Sequence, residues 1–129
     1  MLHLAILGVG LIGGSIGMAA RERGLAEVTG YVRKPERAAE CVELGAADRM
    51  ADSIEAAVSG ADVVVCCASV ASMVGMVAGA LEAAGEDCVV TDVGSTKQEL
   101  VEELGGDQRF IGGHPLAGAE TAGVANARA

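Results

Sequence analysis

The fold is decided by residues 4–15, which read Leu4-Ala5-Ile6-Leu7-Gly8-Val9-Gly10-Leu11-Ile12-Gly13-Gly14-Ser15. An apolar run is followed at once by three glycines with the spacing G-x-G-x-x-G, and then by residues that predict a helix to about residue 23. Strand, glycine turn and helix in this order form the fingerprint of a dinucleotide-binding site. Because 19 of the 129 residues are Gly, a plain strand-to-helix turn is the alternative, but the position of the motif favours the fingerprint.

Each glycine of the motif has a predicted task. Gly8 permits the tight turn, Gly10 lets the backbone approach a pyrophosphate, and Gly13 lets the helix lie close to the strand. The first N–H groups of the helix and the positive end of its dipole would then face the phosphates. We therefore predict that a dinucleotide lies against the turn and the start of the helix, at Gly8, Val9, Gly10, Leu11, Ile12 and Gly13.

The rest of the chain alternates strands and helices. Apolar runs predict strands near residues 2–7, 27–32, 49–51, 63–67, 88–91 and 110–112, and helical spacing predicts helices near 11–23, 35–44, 52–59, 71–84 and 95–104. This alternation indicates an α/β fold with a doubly wound, mostly parallel sheet of the Rossmann type, because parallel strands need right-handed crossovers. We expect the 129 residues to form one domain.

In such a sheet, ligands bind outside the carboxyl ends of the strands. The unusual residues of this sequence follow those ends, so we expect them to line one crevice. They are Arg33 and Lys34, Ala68 and Ser69, Gly94, Ser95 and Lys97, and Gly113, His114 and Pro115.

The end of the second strand bears on the choice of cofactor. NAD sites usually place an acidic residue there to hold the ribose 2′-OH, but Val32 stands at about this position, 19 residues after Gly13. Arg33, Lys34 and Arg37 follow, and cations suit a 2′-phosphate. NADP is therefore favoured modestly over NAD. The alternative is that these cations are simply solvated and that nearby Glu36 substitutes imperfectly for the acid.

Three polar residues are candidates for chemistry. His114 lies between Gly113 and Pro115 at a strand end, and a neutral imidazole with a pKa of about 6.5 can take a proton from a hydroxyl during hydride removal. A capping or solvent-facing histidine is an equal alternative. Ser95 has a plain helix cap as its alternative, although a capping serine can still direct its hydroxyl into the crevice. Glu120 has the solvated loop carboxylate as its alternative.

Composition excludes several classes of function. The net charge of −9 argues against a nucleic-acid partner, and no apolar run is long enough to span a membrane. We expect no signal peptide, because no basic region precedes a long apolar one. Four cysteines without a C-x-x-C pair predict buried core thiols in a reducing cytoplasm, with no metal site and no disulfide.

Three blocks of the sequence together resemble the prephenate/arogenate dehydrogenase family. The first is the glycine motif; the others are Thr91-Asp92-Val93-Gly94-Ser95-Thr96-Lys97 and Gly112-Gly113-His114-Pro115-Leu116-Ala117-Gly118-Ala119-Glu120. The blocks occur in the family's order and span nearly the whole chain. The first is shared with many dehydrogenases, and the other two are much more specific.

The resemblance implies NAD(P)-dependent oxidative decarboxylation of prephenate to 4-hydroxyphenylpyruvate, or of arogenate to tyrosine. It implies that His114 hydrogen-bonds and polarises the substrate hydroxyl. It also implies that Ser95 helps to position the histidine and that hydroxyl, and that Glu120 lies near the substrate entrance. These three residues are thus the candidate substrate-binding residues, with His114 and Ser95 catalytic.

The family also has a second, helical domain, which forms a homodimer and supplies cations for the substrate carboxylates. No such domain is present in residues 1–129, so we expect this chain to bind cofactor but to turn over poorly. Two alternatives remain open at this point. One is the nucleotide domain of another two-domain reductase, such as a β-hydroxyacid dehydrogenase or an imine reductase, and the other is a non-enzymatic NAD(P)-binding sensor.

Overall fold

The computed structural model describes residues 1–94, 98–113 and 123–129, with the backbone alone for 98 and 99. Within these ranges, six strands form one sheet in the order β3-β2-β1-β4-β5-β6, and every pairing between them is parallel. The strands are β1 (Leu2–Leu7), β2 (Ala26–Tyr31), β3 (Arg49–Met50), β4 (Val63–Cys66), β5 (Val89–Asp92) and β6 (Phe110–Ile111). This order, which reverses between β1 and β4, is that of the Rossmann fold and confirms the predicted fold class.

In the part of the chain that the structure describes, five α-helices connect the strands: α1 (Leu11–Glu22), α2 (Ala38–Glu43), α3 (Ile54–Val58), α4 (Val70–Ala83) and α5 (Gln98–Leu104). The helix predicted over residues 35–44 is divided, because Pro35–Arg37 forms a 3₁₀ turn in which Arg37 N donates to Lys34 O at 2.9 Å. The second strand ends at Tyr31 rather than Val32. Its partner β1 ends at Leu7, which pairs with Tyr31, so no ladder continues beyond that point.

The core lies on both faces of the sheet. Ala5 and Leu7 of β1 belong to the apolar cluster under α3, α4 and α5, whereas Ile6 belongs to the cluster under α1 and α2. Alternate side chains of a strand point to opposite faces, so β1 is buried on both sides, as expected for a central parallel strand. Within the described ranges, no helix is long and apolar enough to cross a membrane.

Residues 123–129 return to the start of α1. The 3₁₀ turn Val124–Asn126 packs there, and Arg128 N donates to Ser15 Oγ at 3.0 Å. A Cβ added to Gly14 would lie 2.9 Å from side-chain atoms of both Val124 and Ala127. The second glycine of the Gly13-Gly14 pair therefore makes room for this returning segment.

Candidate nucleotide-binding site

An open cavity of about 830 Å³ lies at the carboxyl ends of β1, β2 and β4. This is the point at which the strand order reverses, where open α/β sheets bind their ligands. All nine residues predicted to contact the cofactor line it: Gly8, Val9, Gly10, Leu11, Ile12, Gly13, Arg33, Lys34 and Ala68. The other described lining residues are Tyr31, Val32, Arg37, Cys67, Ser69, Ser72, Met76, Val93 and Gly123.

The protein's own packing requires two of the three motif glycines. Gly8 has a φ of +98°, and a Cβ there would collide with the carbonyl oxygen of Cys67. A Cβ on Gly13 would collide with the carbonyl oxygen of Gly8 and lie 3.0 Å from Ile6 Cγ2. These contacts draw the turn, the strand and the helix together, as the sequence predicts for Gly8 and Gly13.

Gly10 differs from the other two glycines. A Cβ added to it meets no atom within 4 Å, although Gly10 lines the cavity and is the N-cap residue of α1. Nothing in the described protein therefore needs a glycine here, and the space beside it is free for a ligand. Among the described residues, no side chain caps the helix and its first turn has no acidic residue, so they offer no carboxylate that would compete with an anion for its first N–H groups.

Cations gather at one end of the cavity. Arg33, Lys34 and Arg37 are exposed and line it just after β2, and no Asp or Glu stands among the described lining residues. The three cations make no ion pair within the part of the chain that the structure describes. In a chain with a net charge of −9, the cations make this end of the cavity locally positive.

Several lining residues were missed by the sequence analysis. Ser72 and Met76 lie on α4 four and eight positions after Ala68, so they share the face that begins at the end of β4. That spacing was a signal that could have found them. Gly123 reaches the cavity from the returning segment, and no local pattern marks it.

Burial keeps the thiols of Cys66 and Cys67, at the end of β4, protonated. Desolvation, followed by the nearby charge of Asp92, raises the pKa of Cys67 to about 12. Burial also raises the pKa of Cys66, with smaller contributions from Cys67 and Asp92. All four cysteines are free, and only deprotonated thiols react readily with alkylating agents.

We therefore expect Cys66 and Cys67 of the folded chain to react with iodoacetamide at pH 8 at least roughly 100-fold more slowly than in urea. The physical reason is that folding raises the pKa of both thiols above the ordinary value, so fewer thiolates are present at pH 8. Peptide mass spectrometry of a timed reaction measures the rate at each site. Equal rates in the folded and unfolded chain would contradict the raised pKa of the buried Cys66 thiol and the half-buried Cys67 thiol.

The predicted catalytic residues Ser95 and His114, and the predicted substrate residue Glu120, lie outside the described residues. Their described neighbours, however, come together. Gly94 precedes Ser95 and Gly113 precedes His114, and the backbone N–H groups of both glycines donate to the side chain of Asp92, at 2.8 and 3.1 Å. The starts of the two loops are thus adjacent, as expected for neighbouring strands β5 and β6. Within the described ranges no group of three or more His, Cys, Asp or Glu could hold a metal ion.

Comparison with known proteins agrees with this geometry. The family model for the nucleotide-binding domain of prephenate dehydrogenase matches residues 16–129. Prephenate dehydrogenase of Bacillus subtilis (strain 168) is 34% identical over 131 residues, which cover 97% of this chain and 35% of that protein. The glycine motif at residues 8–13 precedes the family-model match, so its assignment rests on the geometry described above.

Two solved structures are closely similar. Prephenate dehydrogenase from A. aeolicus, in complex with hydroxyphenyl propionate and NAD+, has a TM-score of 0.87 and 34% identity over 98% of this chain and 46% of its own. Arogenate dehydrogenase from Synechocystis has a TM-score of 0.87 and 25% identity over 98% of this chain and 45% of its own. The chain thus spans less than half the length of each relative. With the family-model match, the predicted family is confirmed, and the chain belongs to the prephenate dehydrogenase family as its nucleotide-binding domain.

Proposed function

We propose that this chain binds a nicotinamide dinucleotide in the cavity at the glycine turn, as part of an enzyme that oxidatively decarboxylates prephenate or arogenate. The observation that carries the binding step is the free space at Gly10, beside uncapped helix N–H groups, in a turn whose other two glycines are fixed by packing. A pyrophosphate fits this arrangement because its charge meets backbone donors. The NAD+ complex of the A. aeolicus relative supports the same class of ligand.

The bound nicotinamide would supply the hydride acceptor for oxidation of the ring carbon that carries the substrate hydroxyl. We propose that His114 hydrogen-bonds this hydroxyl and takes its proton as the carbonyl forms. Ser95 positions the imidazole and the hydroxyl, and Glu120 lies near the substrate entrance. Loss of CO₂ then makes the ring aromatic, which supplies driving force that the protein need not provide. These three roles follow from the family resemblance.

We propose further that residues 1–129 form the nucleotide-binding domain alone. In this proposal, a helical second domain binds the substrate carboxylates and forms a homodimer. The coverage of the relatives, less than half of each, supports this division. The four free thiols support a reducing, cytoplasmic location.

The direct test follows NAD(P)H formation at 340 nm in a protein that has both domains, with prephenate or arogenate as substrate. We expect turnover of one of these substrates, and little turnover by residues 1–129 alone. A two-domain protein that binds nucleotide but oxidises neither substrate would contradict the proposed reaction. Full turnover by residues 1–129 alone would contradict the proposal that a second domain binds the substrate carboxylates.

The cations after β2 support NADP rather than NAD. Val32 lines the cavity where an NAD enzyme would place an acid, and Arg33, Lys34 and Arg37 stand exposed beside it. A 2′-phosphate would gain charge-assisted hydrogen bonds from these groups. Val32 offers no acceptor for a free 2′-OH, so NAD would gain nothing comparable at this point.

Val32→Asp is expected to lower the ratio of NADP affinity to NAD affinity by about tenfold to a hundredfold. A carboxylate at residue 32 would repel the 2′-phosphate and accept a hydrogen bond from the ribose 2′-OH. Calorimetric titration with each nucleotide measures both affinities. Val32→Asn, which has the same shape without the charge, is the matched control and should change the ratio much less. An unchanged ratio in Val32→Asp would mean that the cations are not at the 2′ position.

A further inference from the structure

One buried carboxylate stands outside the cavity lining. Asp92, the last residue of β5, is 1% exposed and is the one buried polar or charged side chain found among residues 1–94, 100–113 and 123–129. Burial of a charge is unfavourable unless hydrogen bonds replace its water. The contacts of this carboxylate therefore indicate why it is there.

The two oxygens of Asp92 hold two different loops. Oδ2 accepts a hydrogen bond from Gly94 N at 2.8 Å, in the loop that follows β5. Oδ1 accepts one from Gly113 N at 3.1 Å, in the loop that follows β6. The backbones approach so closely that a Cβ on Gly113 would collide with the carbonyl oxygen of Asp92.

The two hydrogen bonds of Asp92 lie outside the pairing of the sheet. β5 and β6 are already paired through Val90 with Phe110 and Thr91 with Ile111. The carboxylate adds a link beyond the last pair, where the strands end and the loops begin. A carboxylate suits this place because both of its oxygens only accept hydrogen bonds, so each can hold one N–H group.

We propose that Asp92 is a positioning residue of the dehydrogenase site. Its carboxylate fixes the starts of the two loops that carry Ser95 and His114, one residue beyond Gly94 and Gly113 respectively. This inference rests on the proposed function of those two residues. Because Asp92 does not line the cavity, it acts on the placement of His114 and not on the affinity for nucleotide.

Asp92→Asn tests this role with little change in shape. The amide keeps one acceptor oxygen, but its NH₂ group faces a backbone N–H, so one of the two loops loses its anchor. Asp62→Asn is the matched control. Asp62 also joins two strands, since it accepts a hydrogen bond from His3 N at 2.8 Å. It lies just before β4, however, at the amino ends of the strands and away from the cavity. Asp92→Ser is a second variant in case Asp92→Asn does not fold.

Two NMR measurements on the 129-residue chain test whether Asp92 positions the two loops. The first is amide hydrogen exchange at Gly94 and Gly113, with β1 as the internal reference for global stability. The second is the change of the His114 imidazole signals on addition of NADP, with His3 as the internal reference, since the chain has two histidines. Calorimetry gives the nucleotide affinity of each variant.

In Asp92→Asn we expect about tenfold or faster exchange at Gly94 or Gly113, with β1 unchanged. We also expect loss of the His114 response to NADP while the nucleotide affinity stays within about twofold of the parent chain. Asp62→Asn should leave all of these signals as they are. In a protein with both domains, Asp92→Asn should then lower kcat and leave the KM for nucleotide unchanged.

The outcomes separate this inference from the function on which it rests. Unchanged exchange at both glycines, or an unchanged His114 response in Asp92→Asn, would overturn the positioning role. If the parent chain binds no nucleotide, the proposed function fails, and the exchange at Gly94 and Gly113 still decides whether Asp92 anchors the loops. Faster exchange throughout β1 as well would mean that Asp92 only stabilises the fold, which also overturns the positioning role.

Discussion

Gly8→Ala is expected to lower the free energy of unfolding by about 2–6 kcal/mol. The residue would have to keep a φ of +98°, which costs a residue with a Cβ about 1–3 kcal/mol. Its Cβ would also collide with the carbonyl oxygen of Cys67, and the backbone of the β4 end must move to relieve that contact. Urea unfolding followed by far-UV circular dichroism measures the change, since the chain has no Trp for fluorescence.

Gly10→Ala is the matched comparison, two residues further along the same turn. Its Cβ meets no protein atom within 4 Å, so we expect the free energy of unfolding to change by less than about 1 kcal/mol. The same Cβ would crowd a pyrophosphate, and nucleotide affinity should fall by about tenfold to a hundredfold. Loss of stability in Gly10→Ala, or unchanged nucleotide affinity, would contradict the assignment of the turn.

His114→Asn is expected to lower kcat by roughly 10²- to 10⁴-fold in a protein that has both domains. Asn can hydrogen-bond the substrate hydroxyl but cannot take its proton, so the chemical step suffers more than binding. Nucleotide affinity should stay within about threefold, because the proposed partner of His114 is the substrate hydroxyl and not the nucleotide.

The control for this variant is His3→Asn, which replaces the other histidine of the chain. His3 is exposed and lies near the amino end of β1, whereas the cavity lies at the carboxyl ends of the strands. Steady-state kinetics should not distinguish it from the parent protein. A His114→Asn variant with full kcat would remove the histidine from the proposed mechanism.

The elements that position the site could be predicted because each is specified locally. Gly8 and Gly13 act on atoms within the same strand-turn-helix unit or on the strand next to it, so their spacing alone indicates the geometry. The parallel sheet follows from strands that are buried on both faces, as the run Val63–Cys66 shows. Once the sheet is parallel, the strand ends converge at one edge.

The parts that could not be predicted depend on contacts distant in the sequence. Gly123 reaches the cavity because residues 123–129 return to α1, some 110 positions earlier in the chain (Arg128 to Ser15). The two bonds of Asp92 depend on β5 and β6 being neighbours, which an aspartate at the end of a strand does not reveal. The division of the predicted helix near residue 35 reflects hydrogen bonding in its first turn, which periodicity does not resolve.

Calorimetric titration of the 129-residue chain with NADP and then with NAD tests the central claim most directly. We expect both nucleotides to bind at one site, with NADP at least about tenfold tighter, because the glycine turn receives the pyrophosphate and the cations after β2 receive the 2′-phosphate. Circular dichroism of the same sample confirms that the chain is folded. A folded chain that binds neither nucleotide would contradict the assignment of the Gly8–Gly13 turn as a dinucleotide site.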